Sequence, residues 1–182
     1  MSLPILINDL GLLYLSINFL PNAVYQAETC IRTTLKASQD YNFPADHIIF
    51  EVTEGEKIDD REHLNSIFSA YKKLGFKTAI DDFGAGYSGL NLLAEFQPDI
   101  IKLDMALIRN IHGDQVRRAI VVGIMHVCQE IACEVIAEGV ETQAELQTLR
   151  AMGIHRFQGF YFAKPAFQSL APIPPHLLEL ET

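Results

Sequence analysis

Regular alternation of two periodicities constrains this chain more than any other feature. Short apolar runs suited to strands take turns with amphipathic helical stretches. Strand patterns fall near 12–18, 47–53, 76–81, 99–104, 133–138 and 157–162. Helical patterns fall near 22–41, 59–74, 87–96, 115–131 and 142–152. A strand, a crossover helix and a second strand form a right-handed unit with its strands parallel in one sheet. The chain therefore reads as an α/β protein. Gly75 and Gly153 each follow a helical stretch, where a residue free to turn left-handed stops the helix.

Two parallel architectures compete. A doubly wound sheet gathers its ligand at one switch point, whereas a (β/α) barrel brings every strand's C-terminal end to one mouth. Here polar residues close nearly every strand: Asn18, Glu51, Asp81 with Asp82, Asp104 and Glu138. That spread selects the barrel. A barrel of this kind needs eight strands, and about six are legible, so the expectation is an incomplete TIM-like barrel. Its strands at 12–18 and 157–162 would be open edges, with Leu15, Ile17 and Phe160 short of cover. Such edges invite pairing with another chain. One domain is expected over 12–168, with an N-terminal remnant at 1–11 and a C-terminal extension at 169–182 holding Pro172, Pro174 and Pro175.

Composition narrows the function. A hydrophobic share of 49% over 182 residues supports a substantial core. The net charge of -9 argues against a DNA or RNA groove and against an anionic membrane surface. No apolar run is long enough to span a bilayer, and no secretory signal is visible. Cys30, Cys128 and Cys133 show no ligand spacing and read as small hydrophobes in a reducing compartment, so the cytoplasm is expected. The six histidines likewise show no ligand spacing.

Chemistry concentrates at Asp81 and Asp82. Strand neighbours point to opposite faces, so two adjacent carboxylates aim at one site only where the strand ends and its backbone turns. Placed so, they repel each other unless a cation lies between them. The glycines that follow, Gly84, Gly86 and Gly89, match a dinucleotide-binding spacing, with Asp104 downstream. The two carboxylates before them would repel a pyrophosphate, so that reading is rejected. Asp82-Phe-Gly84 matches the metal-binding triplet of kinases, but their catalytic loop and lysine strand are missing. Lys102 and Asp104 share one strand face, Glu141 follows Glu138 in the next loop, and Gln158 begins the last strand pattern. Carboxylate and amide oxygens are hard ligands, suited to Mg²⁺ or Mn²⁺ rather than Zn²⁺.

These residues carry a resemblance. Leu15-Ser-Ile-Asn18, Phe50-Glu-Val-Thr-Glu54, Ile80-Asp-Asp-Phe-Gly-Ala-Gly-Tyr-Ser88, Pro98-Asp-Ile-Ile-Lys-Leu-Asp104, Val135-Ile-Ala-Glu-Gly-Val-Glu141 and Phe157-Gln-Gly-Phe160 closely resemble the EAL domain. That is the bacterial phosphodiesterase domain that linearises cyclic di-GMP. The central segments are also similar to EAL domains attached to blue-light flavin sensors. The resemblance implies hydrolysis of cyclic di-GMP to linear pGpG, with two Mg²⁺ or Mn²⁺ ions in the complete domain. It assigns Asn18, Glu51 and Asp81 to one ion, and Asp81, Asp82 and Glu138 to the other. Lys102 and Glu138 become catalytic, Lys102 by holding the attacking water. Asp104, Glu141 and Gln158 become its orienting neighbours, and Glu54 the anchor of the loop containing Ser88. A homodimer or an attached sensor domain is the implied partner.

One departure stands out. No Glu-Ala-Leu triplet occurs in the chain. The family's motif strand lies upstream of the asparagine strand, so the chain is expected to begin after it, without the first two strands and the first helix. Little activity is then expected of this chain alone. Two alternatives stay open: a catalytically inactive module that binds cyclic di-GMP or a protein, and a barrel lyase of the enolase type, which also uses acidic strand ends, Mg²⁺ and a lysine.

Overall fold

The computed structural model describes residues 5–8 and 13–164. Strands β1 (Ile5–Asn8), β2 (Leu13–Asn18), β3 (Ile48–Thr53), β4 (Lys77–Phe83), β5 (Ile100–Leu103), β6 (Glu134–Ala137) and β7 (Arg156–Phe157) form a closed barrel in chain order. The six strands β2 to β7 run parallel. This is a TIM-like barrel with fewer than eight parallel strands.

The open edges expected from the sequence are not there. β1 pairs antiparallel with β2 on one side and with β7 on the other, through Ile5–Leu15 and Ile7–Phe157 among others. Residues 9–12 leave no length for a crossover helix, so a strand placed there must run antiparallel to β2. Strand β1 thus supplies the missing pairing, because any extended segment within reach satisfies an edge's N–H and C=O groups.

Helices α1 (Ala27–Cys30), α2 (Arg32–Asp40), α3 (Arg61–Lys73), α4 (Gly89–Phe96), α5 (Met105–Ile108), α6 (Gln115–Glu130) and α7 (Gln143–Ala151) surround the barrel. α3 shows why such stretches are helical. Asp60 caps it by accepting the His63 N–H, and Leu64, Ile67, Phe68 and Tyr71 recur at helical spacing on the buried face. Gly75 follows it at φ 86°, and Gly153 follows α7 at φ 90°. The single helix expected over 22–41 is instead a 3-10 turn at Pro21–Ala23, then α1 and α2. The strand expected over 157–162 stops at Phe157. Its partner β6 ends at Ala137, and beyond it the chain turns at Gly159, where a Cβ would lie 2.2 Å from the Val140 carbonyl oxygen.

Period-two alternation builds the interior in layers. Ile49, Ala79, Ile100 and Ile136 form a middle apolar layer with Tyr14. Below it, Glu134 pairs with Lys77 at 3.6 Å and with Arg156, and Arg156 lies over the Tyr14 ring at 5.1 Å. Two residues above the middle layer come Ser16, Glu51, Asp81, Lys102 and Glu138, at the mouth. The intervening strand residues face outward. Val52, Ile80, Ile101 and Leu103 pack against Leu64, Phe68, Leu93 and Val121 of the helices. Among the described residues no helix is long and apolar enough to cross a membrane.

Candidate active site

Asp81 and Asp82 reach the mouth together because β4 is irregular there. Ile80 pairs with Ile101, but Phe83 pairs with Leu103, so β4 spends one extra residue between them. This is a bulge. Asp82 takes φ 55°, a left-handed conformation that aspartate tolerates better than most side chains. The turn cancels the alternation that would have sent Asp82 to the opposite face. Carboxylate oxygens of Asp81, Asp82 and Glu138 lie within 4.8 Å of one another.

Lys102 stands at the centre of the acidic layer, 1% exposed. Its Nζ lies 2.6 Å from Glu138 Oε1, 2.9 Å from Glu51 Oε2 and 3.0 Å from Asp81 Oδ1. Burial works against its charge, but Glu138, Glu51 and Asp81 outweigh burial and hold the ammonium above its ordinary range. The acids fare worse. Burial pushes Glu138 up to about 8; Lys102 opposes the shift and Asp81 adds to it. Burial also raises Glu51, with Lys102 an incomplete offset. Burial and then the charges of Asp81 and Asp104 raise Asp82. One lysine is not enough counter-charge for this layer. Lys102, 2.9 Å from Glu51 Oε2, and the Ser16 hydroxyl both favour the Glu51 carboxylate, yet they do not offset its burial. The buried Gln158 Oε1 has no hydrogen-bond partner among the described residues. Clustered, under-satisfied oxygen donors fit a hard divalent cation such as Mg²⁺ or Mn²⁺.

The other sequence-derived residues fall around this layer. Asn18 is exposed at the end of β2, in register with Glu51. Glu54, 4% exposed, accepts backbone N–H bonds from Gly84, Ser88 and Gly89 at 2.7 Å and from Gly86 at 3.3 Å. Burial raises its carboxyl, but these four donors outweigh burial and hold it below the ordinary range. The glycine-rich turn therefore does bind an anion, and the anion is the protein's own. Gly86 permits the approach, since a Cβ there would sit 3.0 Å from Glu54 Oε1. Ser88, exposed, joins through its backbone alone. Asp104 caps α5 by accepting the Ala106 N–H at 2.8 Å. Glu141 makes its described side-chain contacts with Arg109, at 2.6 and 2.8 Å, rather than with Lys102.

Three residues escaped the sequence reading. Ser16 shares the Asn18 face of β2, and simple alternation points to it. Glu145 is fully buried and forms a capping box with Thr142. Its signature, Thr142 with Glu145 three residues on before an apolar run, is legible in the sequence. Arg109 carries no local signal; only the fold shows its partner.

A family model described as the EAL domain matches residues 5–165. The chain is 36% identical over 165 residues to the blue light- and temperature-regulated antirepressor BluF of Escherichia coli K12, spanning 91% of this chain and 41% of BluF. It is 42% identical over 140 residues to the cyclic di-GMP phosphodiesterase PdeR of the same organism, spanning 76% of this chain and 21% of PdeR. Among solved structures, a standalone versatile EAL protein of Vibrio cholerae O395 in its c-di-GMP bound form superposes with a TM-score of 0.88 and 40% identity, covering 98% of this chain and 97% of that one. Klebsiella pneumoniae BlrP1, in a manganese and cy-diGMP complex, gives 0.77 and 41%, covering 86% of this chain and 40% of BlrP1. The acidic mouth, the Glu54-bound loop and the matched span together make this chain a member of the EAL domain family.

Proposed function

We propose that the barrel mouth hydrolyses cyclic di-GMP to linear pGpG with Mg²⁺ or Mn²⁺. The observation that carries the reading is the buried Lys102, held by Glu51, Asp81 and Glu138 beside the Asp81–Asp82–Glu138 trio. PdeR and the Shewanella oneidensis relative PdeB are both cyclic di-GMP phosphodiesterases by name. Asn18, Glu51 and Asp81 would hold one ion, and Asp81, Asp82 and Glu138 the second. Bound there, divalent ions supply Lewis acidity and offset the charge of an anionic diester. The chain's own groups do the rest. Lys102 Nζ presents a fixed positive charge where oxygen charge develops during attack, at no reorganisation cost. Glu138, 2.6 Å from Lys102 Nζ, is the proposed carboxylate acceptor for the proton of the attacking water. Glu54 fixes the loop behind Asp82, and Asp104 and Gln158 border the same mouth. An attached sensor domain or a second copy of the chain is the proposed regulating partner.

The test is incubation of the chain with cyclic di-GMP and Mn²⁺, with pGpG followed by chromatography. Asp81→Asn should abolish turnover, because that carboxylate serves both proposed ion sites. Wild-type rate in that variant would refute the assignment. A second reading, binding without turnover, is favoured by BluF's name as an antirepressor. Tight nucleotide binding with no pGpG formed would establish it.

A further inference from the structure

We infer that Arg109 is a positioning residue for the acidic layer: its two-point contact with Glu141 locks the loop carrying Glu138 to the loop carrying Asp104. The inference rests on the proposed reading of the mouth, and it concerns a side chain outside it. Arg109 follows α5, a few residues past Asp104, and its two guanidinium nitrogens reach the two Glu141 oxygens at 2.6 and 2.8 Å. Such forked pairing fixes orientation as well as distance. Behind the pair lies Glu145, fully buried and 4.0 Å from the guanidinium. Its carboxylate accepts N–H bonds from Asn110 at 2.9 Å, Thr142 at 3.0 Å and Glu141 at 3.1 Å. One buried acid thus ties the backbones of both loops, and Arg109 adds the side-chain link across them.

The short segment between Glu138 and Glu141 transmits this. The Glu138 N–H donates to the Leu103 carbonyl at 3.0 Å, which anchors its start to the end of β5. Gly139 takes φ 67° and runs so close to Met105 that a Cβ there would meet the Met105 Cβ at 2.8 Å. Val140, fully buried, donates its N–H to the Gln158 carbonyl at 3.1 Å. The segment is held at its start by β5 and at its end by Gln158, by Glu145 and by the Arg109–Glu141 pair. Loosening the end lets Glu138 drift from Lys102 and Asp81, and a small displacement there matters because metal and proton-transfer geometry tolerate little error.

The test compares the full chain with Arg109→Met, Arg109→Lys, Glu141→Gln and the Arg109→Met/Glu141→Gln double variant. Each is measured for amide hydrogen exchange at 138–142, for Mn²⁺ affinity by electron paramagnetic resonance, and for kcat and KM on cyclic di-GMP. Groups bonded directly to a metal ligand are typically worth about 10- to 100-fold; this pair acts one step further out and is half exposed, so a smaller loss of about 3- to 10-fold is expected in Mn²⁺ affinity and in kcat. KM should hold, exchange at 138–142 should quicken, and Arg109→Lys should fall between. The double variant should be no worse than the more impaired single. Wild-type Mn²⁺ affinity and exchange in Arg109→Met would overturn the inference, as would single effects that multiply in the double. A wild-type chain that never forms pGpG defeats the phosphodiesterase reading instead, and Mn²⁺ affinity and exchange then decide the role of Arg109.

Discussion

At the scale of the residue, Lys102 decides the character of the site. Removing one partner from a buried charge cluster typically costs about 3–5 kcal/mol, because the charges left behind lose their compensation. Lys102 compensates Glu51, Asp81 and Glu138 at once. Lys102→Ala is therefore expected to lower the melting midpoint, with Mn²⁺ restoring part of it by binding the freed acids. Its kcat should fall by on the order of 10²-fold, the usual loss for one electrostatic stabiliser, with KM nearly unchanged. Steady-state kinetics settle the point: a raised KM at constant kcat would move Lys102 from the attacking water to the nucleotide.

At the scale of the element, strand ends and helix starts do the positioning. Glu54 gathers the turn from Gly84 to Gly89 around one carboxylate and so fixes the entry into α4. Its folded-state pKa lies below the ordinary carboxylate value near 4.3. The stabilisation it brings is complete above that ordinary value and is lost as pH falls through the depressed folded value. Glu54→Gln should therefore be less stable than wild type at pH 7, with the gap narrowing on acidification; urea melts at pH 7 and pH 3 measure it. A gap that is constant with pH would show that the carboxylate charge is irrelevant. Asp114 does comparable work for α6, accepting the Val116 and Arg117 N–H groups, both at 3.0 Å. Asp114→Ala should destabilise the start of α6, read as a lower urea midpoint.

At the scale of the whole molecule, closure is the central fact. Six parallel strands leave two edges, and β1 takes both by antiparallel pairing. The self-association expected from open edges loses its basis, since those N–H and C=O groups are occupied. Deleting residues 1–8 should bring it back. The truncated chain is expected to melt lower and to associate through β2 and β7, which light scattering across a dilution series detects. A truncated chain that stays monomeric and melts like wild type would show that β1 contributes nothing to closure.

Much was legible in the sequence because side-chain periods are local. Polar residues closing apolar runs marked Glu51, Asp81 and Glu138 as strand ends, and helical spacing with Gly75 and Gly153 marked the ends of α3 and α7. The same local chemistry required a turn between Asp81 and Asp82. The overread strand at 157–162 failed because a strand ends where its partner ends, and β6 stops at Ala137. Only the tertiary structure decided the rest. Which carboxylates converge on Lys102 depends on the order and register of separate strands. That the glycine-rich turn binds Glu54 rather than a phosphate depends on β3 lying beside β4. The identity of β1 as the closing strand, and of Arg109 as the partner of Glu141, depends on the barrel being closed and its loops adjacent. Pairings between groups far apart in the chain leave no periodic trace, because they are set by the fold's geometry and not by the spacing of neighbours.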